Sequence, residues 1–192
     1  MRTSTAFALS IIAFAASAAP ASAASLVLGG GRAQDCYQAA RRVDLPAVAT
    51  ASDLRNCTEA LETEALSVRD RVGTLVNRGI LSMSRRDYRA ALDDYAAALK
   101  LSPQSGVAHV NRGAALIGLG RAREGVEAID RGLALNAAEP EKAYFNRAYA
   151  REQLGDIKGA YMDYSHAAEL RPDWDLPRTE LARFTVHRQS EG

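Results

Sequence analysis

Three histidines, two cysteines and a scatter of carboxylates are the residues best equipped to do chemistry in this chain. His109, His166 and His187 share no metal-ligand spacing, and neither Cys36 nor Cys57 has a histidine beside it, so no zinc site is indicated. The cysteines stand far apart rather than as Cys-x-x-Cys, which argues against a redox pair. Adjacent acids such as Asp93-Asp94 point in different directions on a helix and cannot face one another as the acids of a glycosidase do. Gly-x-Ser-x-Gly, His-Glu-x-x-His and Ser-x-x-Lys are absent, and Gly29-Gly30-Gly31 opens no phosphate loop. The expectation is a protein that is not an enzyme and carries no cofactor; a hydrolase accessory domain or cryptic enzyme is the weakest of its readings.

The polar residues that do recur are Asn77-Arg78, Asn111-Arg112 and Asn146-Arg147, spaced 34 and then 35 residues apart. Self-similarity at that period predicts stacked helical hairpins. Small residues recur in register with them: Gly79, Ala91 and Ala98, then Gly113, Gly125 and Gly132, then Ala148, Ala160 and Ala167, always 12 and then 7 apart. Residues 7 apart share one helix face, so Ala91 and Ala98 form a seam into which the helix carrying Gly79 presses.

On these residues the chain resembles the tetratricopeptide repeat family, whose units are helix-turn-helix pairs with a proline after the second helix. Pro103 and Pro172 stand at that proline; the middle copy has Ala137 there and Pro140 after a one-residue insertion. Tyr95, Ile129 and Tyr164 match the aromatic of the second helix, while Arg78, Arg112 and Arg147 replace an apolar leucine. The fold expected is an all-α, right-handed solenoid of three repeats at 74–106, 107–140 and 141–173. A degenerate helical region at 35–73 precedes them and a capping helix and tail at 174–192 follow. Helices are expected near 35–43, 52–63 and 64–84, then from Asp87-Tyr88 onward, and near 107–119, 123–135, 141–154, 157–170 and 177–188, with Trp174 sealing the last joint.

Residues 1–23 read as a secretory signal. Arg2 precedes an apolar run from Ala6 to Ala16, and Ala21-Ser22-Ala23 is a small-residue cleavage site. The run is too short to span a bilayer, and Pro20 interrupts the helix an anchor would need. Residues 24–34 then form a flexible lead-in. An even cysteine count in an exported chain implies a Cys36–Cys57 disulfide. The Asn56-Cys57-Thr58 sequon is read as chance beside an alanine-rich leader of bacterial character. With 24 basic residues, one of them in the leader, against 23 acidic, the charge balance argues against nucleic acid. After signal removal no membrane insertion is expected, and the product is placed in the periplasm or outside the cell.

In the family, first helices line a concave groove. The resemblance implies a groove of Val76, Asn77, Ile80, Val110, Asn111, Ala114, Lys142, Phe145, Asn146 and Tyr149, an apolar strip broken by amides that suits a protein or peptide partner. Family members that clamp a C-terminal carboxylate need lysines and an arginine here; only Lys142 offers charge, so chaperone-tail binding is not expected. The asparagines have a second reading, as bridges between neighbouring helices. The arginines are expected to be structural, with Arg78 bridging to Asp94 and Arg147 to Asp163, and Asp130 the nearest acid in the middle copy. The functional expectation is a non-catalytic adaptor or scaffold of the bacterial cell envelope. The alternative is a self-associating structural component with no ligand groove in use.

Overall fold

The computed structural model describes residues 24–27, 31–43 and 48–184, and the expected leader lies outside them. Among these residues the chain forms α1 (Arg32–Arg42), α2 (Ala51–Thr63), α3 (Val68–Ser84), α4 (Tyr88–Leu101), α5 (Gly106–Gly118), α6 (Ala122–Ala134), α7 (Pro140–Gln153), α8 (Ile157–Leu170) and α9 (Asp175–Leu181). Each helix packs on its successor from α3 to α9, α3 also meets α1 and α2, and α5 touches both α3 and α7 across the stack. The result is a solenoid of hairpins α1/α2, α3/α4, α5/α6 and α7/α8, closed by α9.

Local chemistry sets the helix ends. Ser67, Asp87, Ser105 and Asp156 accept from backbone N–H groups in the first turns of α3, α4, α5 and α8, and Thr50 with Asp53 forms a reciprocal capping box on α2. Gly120 and Gly155 take positive φ values of 76° and 80° in the turns after α5 and α7. At the equivalent turn after α3 the left-handed residue is Arg86, at φ 61°. Pro140 opens α7 rather than following α6 as the family proline does, which suits its missing N–H and fixed φ.

The small-residue seam is where the hairpins close. Gly79, Ala91 and Ala98 are buried, and a methyl group at Gly79 would collide with the Tyr95 ring. In the middle hairpin a Cβ at Gly113 would stand 2.8 Å from the Gly125 carbonyl oxygen, and one at Gly132 2.8 Å from that of Gly106. The backbones of α5 and α6 therefore touch almost directly. Ala148, Ala160 and Ala167 are all fully buried in the third hairpin.

The Cys36–Cys57 disulfide joins α1 to α2, with both cysteines fully buried against the first repeat. At the other end Trp174 lies 5.0 Å from Phe145, ring centre to centre, and caps α9 onto the third hairpin. The expected capping helix is shorter than its sequence pattern, ending at Leu181; residues 185–192, with His187, are outside the described part.

Candidate functional site

Asn77 lies in the middle of α3, wholly buried, with both ends of its amide engaged by main chain from residue 25. The Ser25 N–H donates to Oδ1 at 2.8 Å, and Nδ2 donates to the Ser25 carbonyl oxygen at 2.9 Å. An amide can make this two-way contact with any residue of an extended chain, because it reads only backbone. Four residues earlier on α3, at Gly73, a Cβ would meet Ser25 Cβ and Val27 Cγ2 at 3.4 Å, so the strand passes directly over the helix.

The two equivalent asparagines differ. Asn111 and Asn146 are buried, yet Nδ2 of Asn111 and both Nδ2 and Oδ1 of Asn146 have no hydrogen-bond partner. Buried amide atoms without partners cost about 1–3 kcal/mol each. The expectation that these asparagines bridge neighbouring helices therefore holds for none of those three atoms, and Asn77 ties down the main chain of Ser25 instead.

The apolar half of the expected groove needs correcting. Val76 and Ile80 are fully buried, Val110 and Ala114 are no more than 3% exposed, and all four belong to the main core. Phe145 packs edge-on against Tyr164 at 5.3 Å as well as on Trp174. These residues fill the space between hairpins because the glycine and alanine seams draw the helices so close that medium-sized side chains suffice. Lys142 and Tyr149 are the expected groove residues left half-buried, with Lys142 Nζ 3.1 Å from a Glu139 carboxylate oxygen.

The arginines behave as expected in the first and third hairpins. Arg78 forks onto Asp94 with contacts of 2.6–3.2 Å and also donates to Thr58 Oγ1 on α2. Hydrogen bonds donated to the Asp94 carboxylate hold the Arg78 guanidinium above its ordinary value, whereas burial pushes the Asp94 carboxyl up despite Arg78. Arg147 reaches Asp163 at 2.7 Å and Asp130 at 2.5 Å, so Asp130 serves the third hairpin's arginine, while Arg112 is exposed. Burial works against the Arg147 charge, but its two carboxylate partners outweigh it and hold the group protonated. Arg151 adds a second contact to Asp163 at 2.9 Å. These ties run through the hairpin seams, away from the strand on Asn77.

The two described histidines lie apart on different hairpins, and the carboxylate near His166 is the exposed Glu169, 3.5 Å from Nδ1. His109 Nε2 is 3.0 Å from the Pro103 carbonyl oxygen, and His166 stands edge-on to Tyr144.

Residues 141–173, the α7/α8 hairpin, match the family model described as tetratricopeptide repeat. The fold is a tetratricopeptide solenoid. Among solved structures it resembles the first tetratricopeptide domain of Spaghetti (RPAP3) bound to the HSP90 peptide SRMEEVD, at 26% identity and a TM-score of 0.55, over 59% of this chain and 89% of that one. The tetratricopeptide domain of Arabidopsis OM64 is 23% identical with a TM-score of 0.57, covering 61% of this chain and 96% of that one. MamA from Desulfovibrio magneticus RS-1 extends the likeness to 79% of this chain and 82% of that one, at 20% identity and a TM-score of 0.60. No curated protein sequence matched. The features missed in sequence are the segment at residues 24–27 that lies on α3 and its tie to Asn77. A glycine at position 73, where the later repeats carry Val107 and Lys142, was the signal that could have shown them.

Proposed function

We propose that this tetratricopeptide protein is a non-catalytic adaptor or scaffold of the bacterial cell envelope, which takes an extended segment of a partner protein along the face formed by α3, α5 and α7. The observation that carries the reading is the Asn77 amide holding main chain in both directions. Asn111 and Asn146 repeat that group one and two hairpins on, with amide atoms still to be matched. Backbone readout fits partners of varied sequence. The Spaghetti domain, solved with a chaperone peptide, supports the general mode. An acidic tail is a poor match here, since Lys142 is already drawn to Glu139. The leader-like residues 1–23 and a buried disulfide support an exported location.

The test is Asn111→Ala with Asn146→Ala, measured against an extended peptide selected by display on the unaltered chain. Because these amide atoms have no internal partners, helix content by circular dichroism should be unchanged. Affinity should fall about tenfold or more, the loss of one or two net hydrogen bonds. Unchanged affinity would remove the peptide-binding face.

A further inference from the structure

The first of the three asparagines already holds a strand, and the strand belongs to the chain itself. We propose that residues 24–27 are a displaceable intrachain occupant of this face, a strap that covers the Asn77 end until a partner strand takes its place. The inference rests on reading the face of α3, α5 and α7 as a peptide site.

The contacts that hold the strap are those a ligand would make. Its two hydrogen bonds both run between the Ser25 main chain and the Asn77 amide, at 2.8 and 2.9 Å, and neither involves the Ser25 side chain. Any extended residue with a main-chain N–H could make the same two hydrogen bonds. The segment crosses α3 at Gly73, where a Cβ would touch Ser25 Cβ and Val27 Cγ2 at 3.4 Å and the Leu26 carbonyl oxygen at 3.6 Å, so a methyl group fits there and a larger side chain would meet the segment.

The anchoring is also thin. Residues 24–27 form no regular element, Val27 is buried against Ala33 and Ala60, and Leu26 is 48% exposed. One buried valine, the partly buried Ala24 against the main core and two hydrogen bonds stand against the entropy of ordering four residues, and terms of that size nearly balance. A strap near balance exchanges readily with a competing strand. The neighbouring N-terminus of α1 is held separately, by Arg32 and Ala33 N–H groups donating to the Glu64 carboxylate at 2.7 and 3.4 Å. Release of the strap therefore leaves that anchor in place.

The experiment uses the full chain and a labelled peptide of residues 24–31, Ala-Ser-Leu-Val-Leu-Gly-Gly-Gly. Ser25→Pro removes the N–H that Asn77 accepts, and Val27→Asp puts a charge where the valine is buried; together they free the strap at constant length. The freed chain should bind the peptide at least tenfold more tightly than the unaltered chain, and adding Asn77→Ala should abolish the gain. Gly73→Leu, which fills the strap's path and favours the helix, should block the peptide while leaving Asn77 intact. Hydrogen exchange reads the strap without any added ligand: the Ser25 amide should be protected in the unaltered chain and exchange about tenfold faster in Asn77→Ala, with Ile80 unaffected. Equal peptide binding by freed and unaltered chains, or a Ser25 amide as unprotected as an open chain, overturns the strap. A freed chain that takes this peptide through Asn77 yet shows no sensitivity of partner peptides to Asn111 and Asn146 keeps the strap and overturns the wider face.

Discussion

Arg86 shows how a repeat protein departs from its own pattern one residue at a time. It occupies the left-handed turn that Gly120 and Gly155 fill in the next two hairpins, and its N–H makes the same bond, to Met83 O at 2.9 Å where theirs go to Ile117 O and Glu152 O at 2.9 and 3.0 Å. A side chain with a Cβ pays about 1–2 kcal/mol in that conformation, against about 0.5–1 kcal/mol of extra chain entropy for glycine. Arg86→Gly should therefore raise stability by about 0.5–1 kcal/mol in urea unfolding, and a loss of stability would show that the Arg86 side chain has contacts worth more than the strain. The asparagines teach the same lesson in reverse. Their spacing was plain in sequence, but three identical amides have different fates, because only Asn77 has a strand laid across it.

At the scale of the helix pair, the small residues carry the information. That Gly79, Ala91 and Ala98 would all be buried where the paired helices close was legible because side-chain volume at a fixed helical spacing leaves few other packings; the structure sets Gly79 against the Tyr95 ring. The middle hairpin, with glycine at three of its seam positions, is the extreme case. Gly132→Ala gains about 1 kcal/mol of helix propensity, yet its Cβ would press on the Gly106 carbonyl oxygen at 2.8 Å and the Val110 nitrogen at 3.0 Å, backbone atoms that cannot rotate away. The expected outcome is a net loss of about 1–2 kcal/mol by thermal or urea unfolding; a gain would mean the two helices can slide apart freely. The same close approach explains why Val76, Ile80, Val110 and Ala114 became core. Sequence position places them on the first helices, but how far a face stays open depends on how tightly the hairpins close, and spacing does not report that distance.

Across the whole molecule, each hairpin is stabilised by its neighbours, so the ends matter most. The N-terminal end, α1 and α2, is tied by the Cys36–Cys57 bond and carries Val27 of the strap against Ala33 and Ala60. Replacing both cysteines by serine should cost about 3 kcal/mol in the chain-entropy account, a fall of roughly 6–12 °C in the unfolding midpoint. Hydrogen exchange should then quicken first in α1, α2 and the Ser25 amide while α5 to α8 keep their protection. Loss of protection spread evenly along the chain would show that the stack unfolds as one unit. Composition, period and seam volume determined by themselves that this chain would be a stack of helical hairpins, with a disulfide between its cysteines and arginine–aspartate ties in the first and third copies. The hairpins and the ties depend on residues at short, repeated separations, and the disulfide on a chain with only two cysteines to pair. Only the tertiary structure decided which residues the face presents and what lies on it: residue 25 reaches residue 77 through a contact 52 positions long, which no local periodicity encodes.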